Sequence, residues 1–192
     1  MEERGVRLDH ATIQRWVVKY RPLLEKTFHC RKRPVGRRWR LDETDMRVNG
    51  EWRYVYRAVD TSGQTIDVLL TEHRDTEAAR RFLTHAIHRH GVPETITIDG
   101  SAAHEAAIQR YHEAHSTHII IRQVNYVNTI VEQDHRAVKR VTRPMLGFNA
   151  CEAAQATRAG IALRHRLKKR QLVVEAGAKR LTAAELFDSL TA

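Results

Sequence analysis

Residues 38–60, RWRLDETDMRVNGEWRYVYRAVD, decide the fold of this chain. The first half alternates as a strand, with Trp39 and Glu43 on one face and Asp42 on the other. Asn49-Gly50 is a strong signal for a type I′ turn, and the residues after it are rich in aromatic and β-branched side chains. The stretch therefore predicts an antiparallel hairpin.

Further along the chain, helices and strands alternate. A turn at Thr61-Ser62-Gly63 precedes a third strand, TIDVLLT, and DTEAARRFLTHAIHRHG predicts an amphipathic helix. The remaining elements are a strand at 94–99, a helix near 102–114, a strand at 118–124, a helix carrying IVEQDHRAVKRV and helical segments to the C-terminus. Three meandering strands followed by alternating helices and strands predict an α/β fold with a mixed sheet.

The N-terminal residues predict a DNA-binding segment. Trp16 and Tyr20 belong to an apolar stripe with helical spacing, and Gly5 stands where a preceding short helix would end. Two such helices are typical of the latter part of a helix-turn-helix. The second helix carries side chains that suit DNA bases and phosphates, namely Thr12, Gln14 and Arg15. We predict a partial helix-turn-helix over 1–27, a basic linker over 28–38 and a catalytic domain over 39–192.

The charge balance favours a polyanionic partner. The 192 residues include 33 Lys and Arg against 23 Asp and Glu, a net charge of +10. Cys30 and Cys151 stand far apart and predict reduced thiols. Neither a signal peptide nor a long apolar run is visible, so we expect no membrane partner and a cytoplasmic protein associated with the nucleoid.

Three acids on separate elements form the candidate catalytic set: Asp42, Asp99 and Glu132. They lie on the first strand, at the end of the fourth strand and near the start of a helix. If these carboxylates meet, they repel one another unless cations neutralise them, and oxygen ligands suit Mg²⁺ or Mn²⁺. Two such ions can catalyse phosphodiester chemistry. Arg136 and Lys139 share the helix face of Glu132, where they can position a DNA phosphate backbone.

The histidines raise the alternative of a zinc site. His112, His115 and His118 are spaced by three residues. Because no Cys or acid completes a tetrahedral ligand set, we expect solvent-exposed histidines instead.

An ordered set of short motifs extends along nearly the whole chain. The motifs are Trp39–Thr44, Gly50–Asp60, Thr65-Ile-Asp67, Arg74-Asp75, Ala78-Ala79, Thr97-Ile-Asp99, Tyr126-Val-Asn128, Glu132–Lys139 and Gly147-Phe148. This set resembles the catalytic core of IS6/IS26-type insertion-sequence transposases of the DDE superfamily. The resemblance implies an RNase H-like fold and a metal-binding triad of Asp42, Asp99 and Glu132. It also implies that Lys139 contacts transposon-end DNA and that the N-terminal helices bind terminal inverted repeats.

The resemblance implies a transposase that cleaves and transfers DNA strands with two divalent ions. Its partners would be the terminal inverted repeats, target DNA and further copies of the same chain. Met1 falls inside what resembles the helix-turn-helix, so we expect an N-terminally truncated chain. The alternative function is therefore an inactive DNA-binding remnant, or an inhibitor of a full-length transposase.

Overall fold

The computed structural model describes residues 2–3, 6–7, 10–124, 136, 139–140, 151–173 and 181–190. They divide into two compact units. The sheet unit is Pro34–Cys151, and the helical unit combines Met1–Arg33 with Glu152–Ala192. In chain order the elements are β1 (Glu2–Glu3), β2 (Val6–Arg7), α1 (His10–Cys30), β3 (Arg38–Val48), β4 (Glu51–Asp60), β5 (Thr65–Thr71), α2 (Thr76–His90), β6 (Thr95–Ile98), α3 (Ala102–His115), β7 (Ile120–Gln123), α4 (Cys151–Lys168) and α5 (Ala183–Asp188).

The sheet unit contains a mixed five-stranded sheet with the order β5-β4-β3-β6-β7. β3 lies at its centre, antiparallel to β4 and parallel to β6. Asn49 and Gly50, between β3 and β4, have φ angles of 53° and 79°, and a type I′ turn needs positive φ at both positions. The predicted hairpin, the three-strand meander and the mixed sheet are therefore confirmed.

Local chemistry sets the ends of α2, which packs on the sheet. The carboxylate of Asp75 accepts a hydrogen bond from the Ala78 N–H at 2.7 Å and caps the first turn. At the other end the Gly91 N–H donates to the Ile87 carbonyl, with Gly91 at a φ of 80°. A left-handed φ favours glycine, so the helix ends where the sequence predicts.

One hydrophobic core joins the sheet to α2 and α3. Its fully buried members include Trp39, Leu41, Ala58, Ile66, Phe82, Ile96, Ile98 and Ile108. The first two lie on β3 with the same parity as Glu43, so this face of the central strand points into the core. The core therefore fixes which side of β3 lies against α2 and α3.

The β4–β5 turn depends on one buried carboxylate, that of Asp60. It accepts hydrogen bonds from the N–H groups of Gly36 at 2.9 Å, Ser62 at 2.9 Å and Gln64 at 2.8 Å. We expect Asp60→Ala to lower the free energy of unfolding by about 3 kcal/mol, because three backbone donors lose a charged acceptor. Urea denaturation measures this loss. Asp60→Asn keeps one acceptor oxygen and should cost less, so equal stabilities of the two variants would contradict the interpretation.

The helical unit has a small core of its own. Phe28 of α1 is buried with residues from α4, α5 and the segments around them: Leu163, Leu167, Leu172, Leu186 and Leu190. Thr182 and Glu185 form a reciprocal capping box at the start of α5. The predicted linker thus begins inside a packed helix, and the domain boundaries at residues 27 and 38 stay predictions.

The N-terminal secondary structure differs from the sequence prediction. The short first helix is wrong, since β1 and β2 pair as antiparallel strands with Glu3 opposite Val6. The second helix is present as α1, but it continues to Cys30 rather than ending near residue 25. Burial of Phe28 explains the extension, because the last turn must be helical to direct this ring into the core. The structure does not confirm a helix-turn-helix.

In the described part of the chain, no helix combines the length and the apolar character needed to cross a bilayer.

Candidate functional site

Three potential metal ligands converge at the end of β6. Asp99 directly follows this strand, Glu43 projects from the core-facing side of β3, and His104 lies in the first two turns of α3. One ligand atom of each residue lies within 4.8 Å of the others. Among the described residues, this is the one such group of three or more His, Cys, Asp or Glu side chains. The structure thus brings predicted Asp99 together with two residues that were not predicted.

Burial distinguishes the members of this cluster. The side chains of Glu43 and His104 are 3% and 1% exposed, whereas Asp99 is exposed. His104 Nδ1 lies 3.3 Å from Glu43 Oε2. Within the described residues, neither ring nitrogen of His104 has a hydrogen-bond partner. Buried polar atoms of this kind normally have partners, so the arrangement suits a role at a site.

Arg74 balances the charge of Glu43. Its guanidinium forms an ion pair with Glu43 Oε1, and its own side chain is 55% exposed. Burial opposes the charge of Arg74, but the Glu43 and Asp99 carboxylates outweigh that effect and raise its pKa. The ion pair compensates for burying a carboxylate in the core, which would otherwise be costly.

The neighbouring carboxylates also affect the pKa values of the His104 and Tyr56 rings. Burial lowers the pKa of His104, and Arg74 lowers it further, against the opposing effect of Glu43 and Asp99. Burial also raises the pKa of Tyr56 to about 12, and the nearby Glu43 carboxylate adds to this effect. Tyr56 packs edge-on against His104, with ring centroids 5.6 Å apart. Burial therefore favours the uncharged form of both rings.

Asp42 lies on the opposite face of β3 from Glu43. It stands opposite Arg57 in the β3–β4 register, and Arg57 is buried. In the parallel pairing of β3 with β6, Arg40 stands opposite Thr97. Asp42 and Asp99 each follow two residues later, so a continued register would align them on neighbouring strands. Asp42 is nevertheless not a member of the Glu43, Asp99 and His104 cluster.

Other predicted site residues are described in part or not at all. Glu132 lies outside the described residues, and so do the side chains of Thr12 and Gln14. Arg15 is an exposed residue of α1. Arg136 and Lys139 are exposed and helical, three residues apart. The triad and the DNA contacts therefore stay predictions.

The spaced histidines have ordinary structural roles. His112 Nε2 accepts a hydrogen bond from the Ile119 N–H at 3.0 Å, and His115 stacks on Tyr111 with ring centroids 4.1 Å apart. His115 and His118 are exposed, in agreement with the prediction, whereas His112 is half-buried. Within the described residues, these histidines belong to no potential metal cluster.

Glu43 and His104 are the site residues that sequence reasoning missed. The signal available for Glu43 was its position on the core-facing side of the predicted strand, because an acid buried there needs a partner that compensates its charge. His104 carried no such signal, since its burial depends on how α3 packs against β3 and β4. Carboxylates and an imidazole near one another can bind a divalent cation, so the donor set fits a metal.

Comparison with known proteins places the chain in a family. A family described as a DDE domain, DDE_Tnp_IS240, matches residues 36–171. The transposase for insertion sequence-like element IS431mec from Staphylococcus aureus is 32% identical over 172 residues, covering 88% of this chain and 75% of that protein. The chain belongs to the DDE transposase family, IS6 type. This membership confirms the resemblance inferred from the motifs and does not favour the remnant alternative.

A second relative of this DDE transposase supports the same family assignment. The transposase for insertion sequence element IS257 in transposon Tn4003, also from Staphylococcus aureus, is 32% identical over 169 residues. That alignment covers 87% of this chain and 74% of the relative. Enzymes of the DDE transposase family are polynucleotidyl transferases, so family membership places the chain in this class.

Solved structures support the RNase H-like fold of this DDE transposase. The HTLV-2 integrase catalytic core domain in complex with magnesium, in its trimeric form, matches with a TM-score of 0.54 and 18% identity. The match covers 82% of this chain and 99% of that one. The simian T-cell lymphotropic virus intasome in complex with PP2A regulatory subunit B56 gamma matches with a TM-score of 0.52 and 17% identity, covering 82% and 56%. At these identities the similarity concerns the fold alone.

Proposed function

We propose that this DDE transposase cleaves DNA at the ends of an insertion sequence and joins the resulting 3′-hydroxyl to target DNA. Asp42, Asp99 and Glu132 form the catalytic triad and hold two divalent ions, Mg²⁺ or Mn²⁺. When bound, such ions activate the attacking hydroxyl and stabilise the leaving oxygen of a phosphodiester. The chain itself then contributes ligands and positive charge, and it needs no covalent nucleophile.

The observation that carries this proposal is the position of Asp99. It is an exposed carboxylate at the C-terminal end of β6, next to the central strand that holds Asp42. Ligands of α/β sheets commonly bind where strands end. The β3–β6 pairing supports placing the backbones of Asp42 and Asp99 near each other on neighbouring strands, while the Asp99 carboxylate lies close to Glu43, on the other face of β3. Glu132 completes the set by the family's motif order.

Arg136 and Lys139 are proposed to bind the DNA backbone near the triad. Both side chains are exposed, and residues three apart on a helix share a face. Their charges suit phosphate oxygens, which contribute affinity independently of sequence.

We expect Lys139→Ala to weaken DNA binding uniformly across sequences, because one phosphate contact is lost. The slope of log affinity against log salt concentration should fall by about 1. Fluorescence anisotropy with labelled duplexes over a range of KCl concentrations measures both effects. Arg80→Ala is the matched control, since Arg80 is an exposed cation already paired with Glu77 at 2.7 Å. An unchanged salt slope for the Lys139 variant would remove this residue from the DNA site.

Thr12, Gln14 and Arg15 of α1 are proposed to recognise the terminal inverted repeats. Joining two DNA ends in one reaction requires at least two such contacts, so we propose that the chain acts as a homo-oligomer on DNA. The net charge of +10 supports binding of the protein to DNA, and with it an association with the nucleoid.

A strand-transfer assay tests the proposed function. Labelled duplexes carrying the inverted repeats that flank the coding sequence are incubated with target plasmid, the full chain and Mg²⁺. Joined products that require the repeats and the metal are expected. Equal products from scrambled ends, or no products with either Mg²⁺ or Mn²⁺, would count against it.

A further inference from the structure

Glu43 and His104 form a buried pair next to Asp99 that the proposed reaction does not use. Both side chains are almost fully inaccessible, yet one atom of each lies within 4.8 Å of a carboxylate oxygen of Asp99. An acid and a histidine in a hydrophobic core are costly to bury. Both residues lie next to Asp99, a proposed metal ligand. A role at the metal site explains why the cost of burying them is tolerated.

The charge of Glu43 is already balanced inside the protein. Arg74 pairs with one of its oxygens, while the other oxygen faces His104 at 3.3 Å. Glu43 therefore has a cationic partner within the protein and does not require a directly bound metal ion for charge compensation. This arrangement favours a supporting role for Glu43 over a role as a direct metal ligand.

The negative charge of Glu43 lies close enough to the Asp99 carboxylate to repel it. Two carboxylates this close repel each other, and repulsion between ligands is relieved when a cation binds. Side chains that contact a metal ligand also fix the orientation of that ligand, and substituting them commonly weakens metal binding. Gly100, immediately after Asp99, has a φ of 87°, so its conformation favours glycine at the turn that presents this carboxylate.

We propose that Glu43, held in place by its ion pair with Arg74, is a positioning residue for Asp99. Arg74 is half exposed and offsets the charge of Glu43 only in part, so the remaining charge repels the Asp99 carboxylate, and a bound divalent ion relieves this repulsion. The inference rests on the proposed role of Asp99 as a metal ligand.

Glu43→Gln tests this role, because the amide keeps the shape of the side chain and removes its charge. Mn²⁺ is titrated into the full chain, and free Mn²⁺ is followed by electron paramagnetic resonance. The dissociation constant should rise at least about tenfold relative to wild type, the size of effect typical of partners of metal ligands. Stabilisation by Mn²⁺ in thermal unfolding should shrink in parallel.

A matched control separates positioning from general destabilisation. Asp67 is also 3% exposed and pairs with a histidine, His85, at 2.5 Å, with Arg89 at 3.9 Å. Asp67→Asn should lower the melting temperature without changing the Mn²⁺ dissociation constant. A second variant, Arg74→Lys, keeps the charge at a half-exposed position but loses the guanidinium geometry. It should fold even if Glu43→Gln does not, and it should weaken Mn²⁺ binding several-fold.

The outcomes distinguish this inference from the proposed function. If Asp99→Asn loses Mn²⁺ binding while Glu43→Gln and Arg74→Lys bind as wild type does, the positioning role is overturned and the metal site stands. If Glu43→Gln loses binding as completely as Asp99→Asn, Glu43 is a direct ligand and the positioning role is again overturned. If wild-type binding does not depend on Asp99, both proposals fail.

Discussion

Asp99→Asn is expected to reduce Mg²⁺-dependent strand cleavage and strand transfer at least about a thousandfold, which corresponds to about 4 kcal/mol of transition-state stabilisation. The amide is neutral and supplies a weaker ligand, so it cannot compensate the charge of divalent ions in the way a carboxylate does. Because Asp99 is exposed at the end of β6, the substitution should leave the fold intact. Gel separation of labelled products measures the rate, and circular dichroism checks the fold.

Asp45→Asn is the matched control for this experiment. Asp45 is another exposed aspartate of the sheet unit, and it lies on the opposite parity of β3 from Asp42. Its substitution should leave the rate within about twofold of wild type, as expected for a surface position away from a site. Residual activity of Asp99→Asn above a tenth of the wild-type rate would contradict the proposed triad.

Single and double substitutions of the triad residues test whether the three acids act as a unit. Asp42→Asn and Glu132→Gln should each cause a loss of similar size, and the double variants should be hardly worse than the single ones. Residues that act as a unit are strongly non-additive, because removing one already disables the site. Independent, multiplying effects would argue that these acids do not share one metal centre.

Trp39→Ala is expected to lower the free energy of unfolding by about 4 kcal/mol, in the range typical of large-to-small changes in a core. Trp39 is 1% exposed near the start of β3, on its core face, and its Nε1 donates a hydrogen bond to the Gly36 carbonyl at 2.9 Å. The substitution removes a large buried ring and leaves a cavity between the sheet and the helices. Urea denaturation followed by circular dichroism measures the change.

Trp52 provides the comparison, because it has the same side chain at an exposed position. It is 53% exposed on β4, and Arg47 lies over its ring at 5.3 Å. Trp52→Ala should cost less than about 1 kcal/mol, since little apolar area and one exposed cation–π contact are lost. Similar losses for the two variants would mean that this face of β3 does not form the core.

The hairpin and α2 could be predicted because their signals are local. Asn49 and Gly50 tolerate the positive φ angles of the turn, and the cap residues of α2, Asp75 and Gly91, act within a few residues of their partners. Such interactions depend on neighbouring residues in the chain, so the order of residues is sufficient to place them.

The N-terminal helix shows where local signals were insufficient. Gly5 suggested the end of a short helix, yet β1 and β2 form there. α1 extends to Cys30 because Phe28 packs with residues such as Leu163 and Leu186, which are distant in the chain. Tertiary packing overrode the local pattern at the C-terminal end of α1, whereas the β1–β2 pairing at the other end is itself local.

The amino-acid sequence by itself determined the family, the mixed sheet and the opposite faces of Asp42 and Glu43, because motif order and strand alternation are properties of the chain alone. Only the tertiary structure brought Glu43, Asp99 and His104 within reach of one another. Their meeting depends on the packing of α3 against β3, and side chains from distant elements converge only when a shared core fixes those elements together.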